Sequence, residues 1–185
     1  MSELETVLFQ RRTIHEYLDA PLPKETLHRA LAAAQMAPCH KLTWPWRFIQ
    51  VGPQTRARLI ELTIEVKGQK RTMTPELEER IRRRTTRPAV LLAVAQVRSI
   101  KPKQAQEDYA AIAMAIQNLS LSLERDGFGS KWSTGAVTTH PNTYAMLQLD
   151  PSAFELVGFI WAGKAAAVPE PPKRPALADI FRTIP

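Results

Sequence analysis

The sequence has little cysteine, no long apolar stretch and no leader pattern at its N-terminus. Its single cysteine, Cys39, rules out an intramolecular disulfide and fits a reducing compartment. The longest apolar run, residues 89–95, is far too short to span a bilayer. The first five residues, Met-Ser-Glu-Leu-Glu, are acidic and polar, unlike a secretory signal peptide. We therefore expect a soluble, cytoplasmic protein with no signal peptide and no membrane partner.

The short motifs that mark common nucleotide, hydrolase and metal sites are also missing. No G-x-G-x-x-G follows a predicted strand and no G-x-x-x-x-G-K-[ST] occurs, which disfavours a Rossmann dehydrogenase and a P-loop nucleotidase. A hydrolase would need a G-x-S-x-G elbow, which is absent. The four histidines show no ligand spacing, and the lone cysteine has no partner, so we predict no metal site.

Positive charge is what the chain has in excess. The formal net charge is +7, and such a balance attracts anions, either nucleic acid or a phosphorylated small molecule. Five arginines fall between residues 80 and 87, so a basic nucleic-acid-binding protein is one alternative. Against it, Glu76, Glu78 and Glu79 stand beside these arginines, and mixed charge is typical of a solvated helix face. We therefore expect no nucleic-acid partner.

The hydrophobic share of 44% and the length of 185 residues predict one globular domain, residues 1–185. A capping box at Ser2 and Glu5 predicts a helix start, as does Thr74-Pro75-Glu76. Residues 89–97 are typical of a strand covered on both faces. The predicted elements make a mixed α/β chain: a helix ending near Arg11, a helix between Pro23 and Pro38, a strand at 48–51, a helix carrying Leu59, Leu62 and Val66, a helix from Thr74, a strand at 89–97, a helix at 106–126, a short helix near 141–149, a strand at 154–163 and an extended tail at 169–175 packed along a surface.

Two clusters that flank the second predicted helix have the residue types of an anion site. Arg11, Arg12 and Thr13 offer two guanidinium forks and a hydroxyl to a phosphate, although basic residues are also common at solvated helix ends. His40 and Lys41 could donate to a polar ring edge or lie in an ordinary exposed loop. Trp44-Pro45-Trp46 could wall a pocket or anchor the core.

Two further clusters lie later in the chain. Trp132, Ser133, Thr134 and Gly135 form a predicted turn whose backbone amides and hydroxyls suit an oxygen-rich ring or a phosphate, or else a plain turn. The pair Lys173-Arg174 could reach the same anion from the tail. Nothing in the sequence marks Cys39 as a reactive thiol.

The order of these clusters resembles the nitroreductase family. The shared features are an R-R-[ST] after the first helix, an acid-then-proline turn, a second helix closing on A-P, P-W-x-F leading into a strand, G-x-G-x-x-W after the long helix, and a basic K-R-P near the C-terminus. The match covers nearly the whole chain. The length and the Pro-x-His-Lys loop are similar to the short, single-domain branch of that family.

The resemblance implies an α+β, nitroreductase-like three-layer sandwich with a central, mostly antiparallel sheet flanked by helices, in a homodimer. It implies an FMN-dependent oxidoreductase in which NADH or NADPH reduces the flavin and the flavin then reduces a nitroaromatic, a quinone or a similar small acceptor by ping-pong hydride transfer. A family member that binds flavin without turnover is a further alternative. The implied FMN contacts are Arg11, Arg12, Thr13, His40, Lys41, Trp132, Ser133, Thr134, Gly135 and Lys173 or Arg174. No catalytic side chain is assigned.

The chain departs from the family pattern near the expected flavin ring. Cys39 stands where many members have serine or threonine, Leu42 where they have asparagine, and Trp44 where they have glutamine. His15 stands where members often have arginine, and a histidine is a pH-dependent donor. Residues 64–87, which are polar and weakly patterned, are the predicted mobile segment that covers the substrate.

Overall fold

The structure, a computed structural model, describes residues 2–184. Most element boundaries agree with the sequence patterns. The predicted capping box is present, with the Ser2 side chain accepting from the Glu5 amide. The elements of this part of the chain are α1 (Glu3–Gln10), α2 (Lys24–Gln35), a 3-10 turn (His40–Leu42), β1 (Trp46–Gln50), α3 (Pro53–Gly68), α4 (Pro75–Thr86), β2 (Val90–Val97), α5 (Pro102–Arg125), β3 (Gly129–Ser133), a second 3-10 turn (Ala136–Thr139), α6 (Pro141–Leu147), β4 (Phe154–Gly163) and α7 (Leu177–Ile180).

The described strands form one antiparallel sheet in the order β1-β2-β4-β3. Residues 11–17, here called the edge segment, extend the sheet beside β3. Thr13 bridges Ser130 in the parallel sense, and Tyr17 bridges Ala165 in the antiparallel sense. The Ile14 amide donates a 3.1 Å hydrogen bond to the Ser130 carbonyl. The residues after α1 are thereby tied to the edge of the sheet.

Helices cover both faces of the sheet, which makes three layers. Side chains of β2 alternate between two cores, because successive residues of a strand point to opposite faces. Leu92 and Val94 pack with α2 and α5, whereas Leu91 and Ala93 pack with α3 and α6. The run predicted to be a doubly covered strand is therefore confirmed, as is the three-layer α+β arrangement.

Three predictions of local structure are wrong. The long helix begins at Pro102 rather than at residue 106, because a proline suits the first helical turn and starts it earlier. Residues 129–133 form strand β3, which takes in Trp132 and Ser133 of the turn predicted at residues 132–135, because pairing with β4 imposes extended backbone. The tail does not pack on this chain's own surface, since residues 166–184 are exposed throughout. None of the helices in residues 2–184 is long and apolar enough to cross a membrane.

Candidate active site

A cleft of about 610 Å³ opens between the sheet and the helices α3 and α4. Its floor is largely apolar and includes Tyr17, Phe159 and Trp161. The Tyr17 hydroxyl donates a 3.1 Å hydrogen bond to the Trp161 carbonyl, and burial raises the pKa of that hydroxyl. Tyr17 is therefore a neutral, fixed part of the floor. The aromatic floor can accommodate a planar ring.

Basic side chains surround this floor. Among the lining residues, all of which belong to the described part of the chain, seven are basic and none carries a carboxylate. Burial, Arg84 and Lys67 lower the pKa of the half-buried Lys131. The clustered positive charges create a positive field in the cleft, and this field favours a bound anion. The seven residues are His15, Lys67, Lys70, Arg71, Arg80, Arg84 and Lys131.

Helix α4 supplies two of these charges through its spacing. Leu77, Arg80, Ile81 and Arg84 recur at the three- and four-residue intervals that place side chains on one helical face, and all four line the cleft. Arg84 also donates a 2.7 Å hydrogen bond to Glu16, which lowers the pKa of that carboxyl. The predicted covering segment, residues 64–87, contains α4 and the end of α3, and both helices line the cleft. Its mobility stays a prediction.

Strand β3 decides which side chains of residues 129–133 reach the cleft. Lys131 and Ser133 line it, whereas Trp132 points to the opposite face and packs beside Tyr109 of α5, with 6.3 Å between ring centroids. The Ser133 hydroxyl accepts a 2.8 Å hydrogen bond from Trp161 Nε1, which links the lining residue of β3 to the aromatic floor. Sequence reasoning missed Lys131, and the period of two in a recognised strand would have found it.

Thr134 and Gly135 line the cleft just after β3. Gly135 has φ 151°, a conformation that favours glycine. Its carbonyl accepts from the Thr138 amide at 2.9 Å and from the Thr138 hydroxyl at 2.7 Å. The chain is thereby turned away from β3 into the 3-10 turn, which leaves the rim of the cleft fixed in place.

Arg11, Arg12 and Thr13 are not among the lining residues, although they precede His15 on the same edge segment. Arg12 donates to the carbonyls of Phe9 and Arg11, at 2.7 and 2.9 Å. Burial raises the pKa of Glu124 even though Arg11 and Arg12 lie close enough to oppose the shift. Arg11 and Arg12 therefore lie near the Glu124 carboxyl group, whose protonation is favoured by burial.

The remaining predicted contacts lie elsewhere in the chain. His40 and Lys41 are exposed on the loop after α2, where His40 Nε2 is 3.8 Å from a carboxylate oxygen of Glu107. Lys173 and Arg174 are exposed in the C-terminal segment. The predicted residues that line the cleft are Ser133, Thr134 and Gly135; those that do not line it within this chain are Arg11, Arg12, Thr13, His40, Lys41, Trp132 and Arg174.

The loop after α2 also carries backbone strain. Lys41, Leu42 and Trp44 all have positive φ, between 46° and 59°, which is uncommon outside glycine. The Cys39 sulfur lies 3.3 Å from the Trp44 amide that donates to it, so the cysteine has a local role in this loop. Such strain tends to persist at functional sites. Among residues 2–184, no group of three or more histidine, cysteine or acidic side chains is placed to hold a metal ion.

Comparison with known proteins identifies the family. Residues 8–164 match the model of the nitroreductase family. A Bacillus subtilis protein, YfhC, named as a candidate NAD(P)H nitroreductase, is 30% identical over 183 residues, covering 97% of this chain and 93% of that protein.

Two solved structures have the same fold. A nitroreductase-like family protein from Bacillus cereus aligns over 100% of this chain and 97% of its own, with a TM-score of 0.83 and 24% identity. A Desulfovibrio desulfuricans protein in complex with FMN aligns over 100% of this chain and 98% of its own, with a TM-score of 0.77 and 23% identity. With the family match over most of the chain, the resemblance predicted from the sequence is confirmed: the chain belongs to the nitroreductase family of oxidoreductases.

Proposed function

We propose that the protein binds FMN in the cleft between the sheet and α3–α4 and uses NAD(P)H to reduce small aromatic acceptors such as nitroaromatics or quinones. The observation that carries this proposal is a floor with aromatic side chains below seven basic residues and no lining carboxylate. A planar ring suits the floor, and a phosphate suits the charge. The FMN bound by the similar Desulfovibrio protein supports the choice of cofactor.

The chain's own residues divide the work of holding the cofactor. Ser133, Thr134 and Gly135 offer polar groups at the rim beside the floor. Lys131 and His15 supply donors and positive charge next to them. Arg11, Arg12 and Thr13 remain proposed phosphate contacts, because they lie on the edge segment that leads directly into His15. Bound FMN would supply the chemistry, accepting a hydride from NAD(P)H and passing reducing equivalents to the acceptor.

Fixed positive charge is the main contribution of the side chains to the reaction. Lys131 is partly desolvated, so it stabilises negative charge in the cleft more strongly than a solvated lysine would. The floor residues Phe159 and Leu91 are buried and exclude water from below. We assign no side chain a proton-transfer role, since flavin chemistry needs mainly binding, orientation and electrostatic tuning from the protein.

We also propose that the site is completed by a second subunit. His40, Lys41 and Arg174 do not line their own chain's cleft, yet all three are exposed on the surface, where a neighbouring subunit can contact them. Large apolar side chains are exposed on α1, on the loop after α2 and in the C-terminal segment, which supports a role for these surfaces in subunit contact. They include Leu8, Phe9, Leu42, Trp44, Ile180 and Phe181.

The visible spectrum of the purified protein tests the cofactor. The protein should be yellow, or should become yellow on reconstitution with FMN, and the flavin band should bleach under anaerobic NADPH or NADH. Colourless protein that takes up no added FMN would contradict the proposal. Flavin that stays oxidised in stopped-flow mixing with both reductants would instead favour a family member without turnover.

A nucleic-acid role is the competing function, and salt dependence separates the two. Two of the five clustered arginines, Arg80 and Arg84, line the cleft. A retarded DNA or RNA band that survives moderate salt would favour nucleic-acid binding, whereas weak binding that disappears with added salt would reflect only the net charge.

A further inference from the structure

The basic residues of the cleft fall into two groups by position. The inner group, Lys131, His15 and Arg84, stands around β3 and the edge segment. The outer group, Lys67, Lys70, Arg71 and Arg80, stands on the end of α3, the connection that follows it and the exposed part of α4. All four members of the outer group are exposed. Burial, Arg71, Arg80 and Arg84 lower the pKa of Lys67, so the outer group is a cluster that adjoins the inner group and not a set of scattered charges.

Two acidic residues near the outer group, Glu61 and Glu76, are engaged with other residues. Glu61 forms an ion pair with Arg82, on the side of α4 that faces away from the cleft. Glu76 hydrogen-bonds with Thr74 and with its own amide at the start of α4, which lowers the pKa of its carboxyl. Within residues 2–184, no carboxylate lies within 4.0 Å of a basic nitrogen of the outer group. Within the described chain, therefore, no member of the outer group forms an ion pair.

One cofactor phosphate does not account for both groups. A phosphate monoester carries about −1.5 to −2 charges. Even with Arg84 paired to Glu16 and His15 uncharged, the cleft keeps five cationic side chains, Lys131 and the four of the outer group, which exceeds what one phosphate balances. We propose that the outer group is a second phosphate subsite, which binds the 2′-phosphate of NADPH and so selects NADPH over NADH. The inference rests on the proposed function, because it names which of two reductants the same cleft takes.

Two properties of the outer group favour a 2′-phosphate over an acidic group of the acceptor. Arg71 and Arg80 present planar forks that match phosphate oxygens in pairs, and arginine is the usual partner of this phosphate in dinucleotide sites. The group also stands at the exposed mouth, whereas the aromatic floor lies deeper in the cleft. An extended dinucleotide could place its nicotinamide against the flavin that the floor would hold and its adenosine phosphate at the mouth. A small aromatic acceptor cannot reach both.

Steady-state kinetics of the FMN-loaded protein test the selection. Wild type should show a KM for NADPH about tenfold or more below that for NADH. The double variant Arg71→Gln, Arg80→Gln should raise the KM for NADPH about tenfold or more and the KM for NADH by much less, as expected for lost charge-assisted hydrogen bonds to a 2′-phosphate. Arg83→Gln is the matched control, because Arg83 is an exposed arginine of α4 that does not line the cleft.

Calorimetry gives a readout that needs neither flavin nor turnover. Adenosine 2′,5′-bisphosphate should bind the purified protein about tenfold more tightly than adenosine 5′-monophosphate, and the double variant should lose this difference while Arg83→Gln keeps it. Equal binding of the two nucleotides, or equal KM values for NADPH and NADH in wild type, would overturn the inference. The inference would also be overturned if the double variant lowered the reduction rate of 4-nitrobenzoate but not of nitrobenzene, with the KM for NADPH unchanged. That result would assign the outer group to an acidic acceptor. Failure to bind FMN would contradict the proposed function. The calorimetry would still show whether the outer group binds a 2′-phosphate.

Discussion

At the scale of single residues, Lys131 holds a half-buried positive charge against the wall of the cleft. Burial and two cationic neighbours lower the pKa of its ammonium group, so a bound anion should be strongly coupled to it. Lys131→Met should weaken FMN binding by about 10- to 100-fold, the effect of losing a charge-assisted hydrogen bond. Fluorescence titration of FMN measures this. Lys103→Met, an exposed lysine in the first turn of α5, should leave the affinity unchanged, and equal affinities in the two variants would contradict the placement.

His15 should make FMN binding depend on pH. Burial, Lys131 and Arg84 lower the pKa of His15, and Glu16 opposes them only in part. A bound anion would offset the two cations and raise that pKa, so binding would take up a proton. Affinity should therefore increase as pH falls through the ordinary histidine range. Because the phosphate titrates in every variant, the measured quantity is the affinity ratio of wild type to His15→Gln by calorimetry. A ratio that stays constant with pH would refute the linkage.

At the scale of elements, the edge segment and β3 form one unit because Gly129 lets Ile14 approach. A Cβ added at Gly129 would overlap the Ile14 side chain. Gly129→Ala should destabilise the protein by about 1–3 kcal/mol in chemical denaturation and weaken FMN binding as well, since the segment carries His15. Gly52→Ala, where a Cβ meets nothing within 4 Å, should change stability by less than about 1 kcal/mol.

A coupling measurement separates this clash from a general cost of replacing glycine. If the overlap with Ile14 is the cause, Ile14→Ala should cost less in the Gly129→Ala background than in wild type, because the smaller side chain makes room. Fully additive costs would mean that Gly129 matters for another reason. Across these three variants, FMN affinity should fall as the free energy of unfolding falls, because both depend on the contact between the edge segment and β3.

Elements with strong local signals could be predicted from the sequence, and β3 could not. The helix starts at Ser2 and Thr74 and the apolar strand β2 follow from capping and hydrophobic pattern alone. Strand β3 is only five residues long, reads Gly-Ser-Lys-Trp-Ser, and owes its extended form to pairing with β4. Such pairing is a tertiary effect that overrides local propensity.

The same limit explains what was missed in the site. Ser133 and Gly135 were predicted from their residue types, but Lys131 becomes a lining residue only once the alternation of β3 is known. Arg80 and Arg84 were visible as charge, yet the sequence favoured a solvated face. Their place in the cleft depends on how α4 packs against α3, which no local pattern contains.

At the scale of the whole molecule, large apolar side chains are exposed at both ends of the described chain, on α1 and in the C-terminal segment. Helix α1 has no buried residue, yet it exposes Leu4, Leu8 and Phe9. The C-terminal segment exposes Phe181 and other large apolar side chains along a stretch that is exposed throughout. Soluble monomers rarely expose contiguous apolar patches of this kind. We propose that these surfaces pack against a second copy and that the exposed loop after α2 contributes to the partner's cleft.

This arrangement predicts that assembly and cofactor binding fail together. Wild type should elute with twice the mass of the 20.8 kDa chain in light-scattering chromatography. The double variant Leu8→Glu, Phe9→Glu should weaken the dimer by about tenfold or more, because burial of two large apolar side chains is lost. FMN affinity should fall with it, since His40 and Lys41 would no longer act from the partner. Ile100→Glu, an isolated exposed position, is the control. A wild-type monomer that binds FMN with full affinity would refute the shared site.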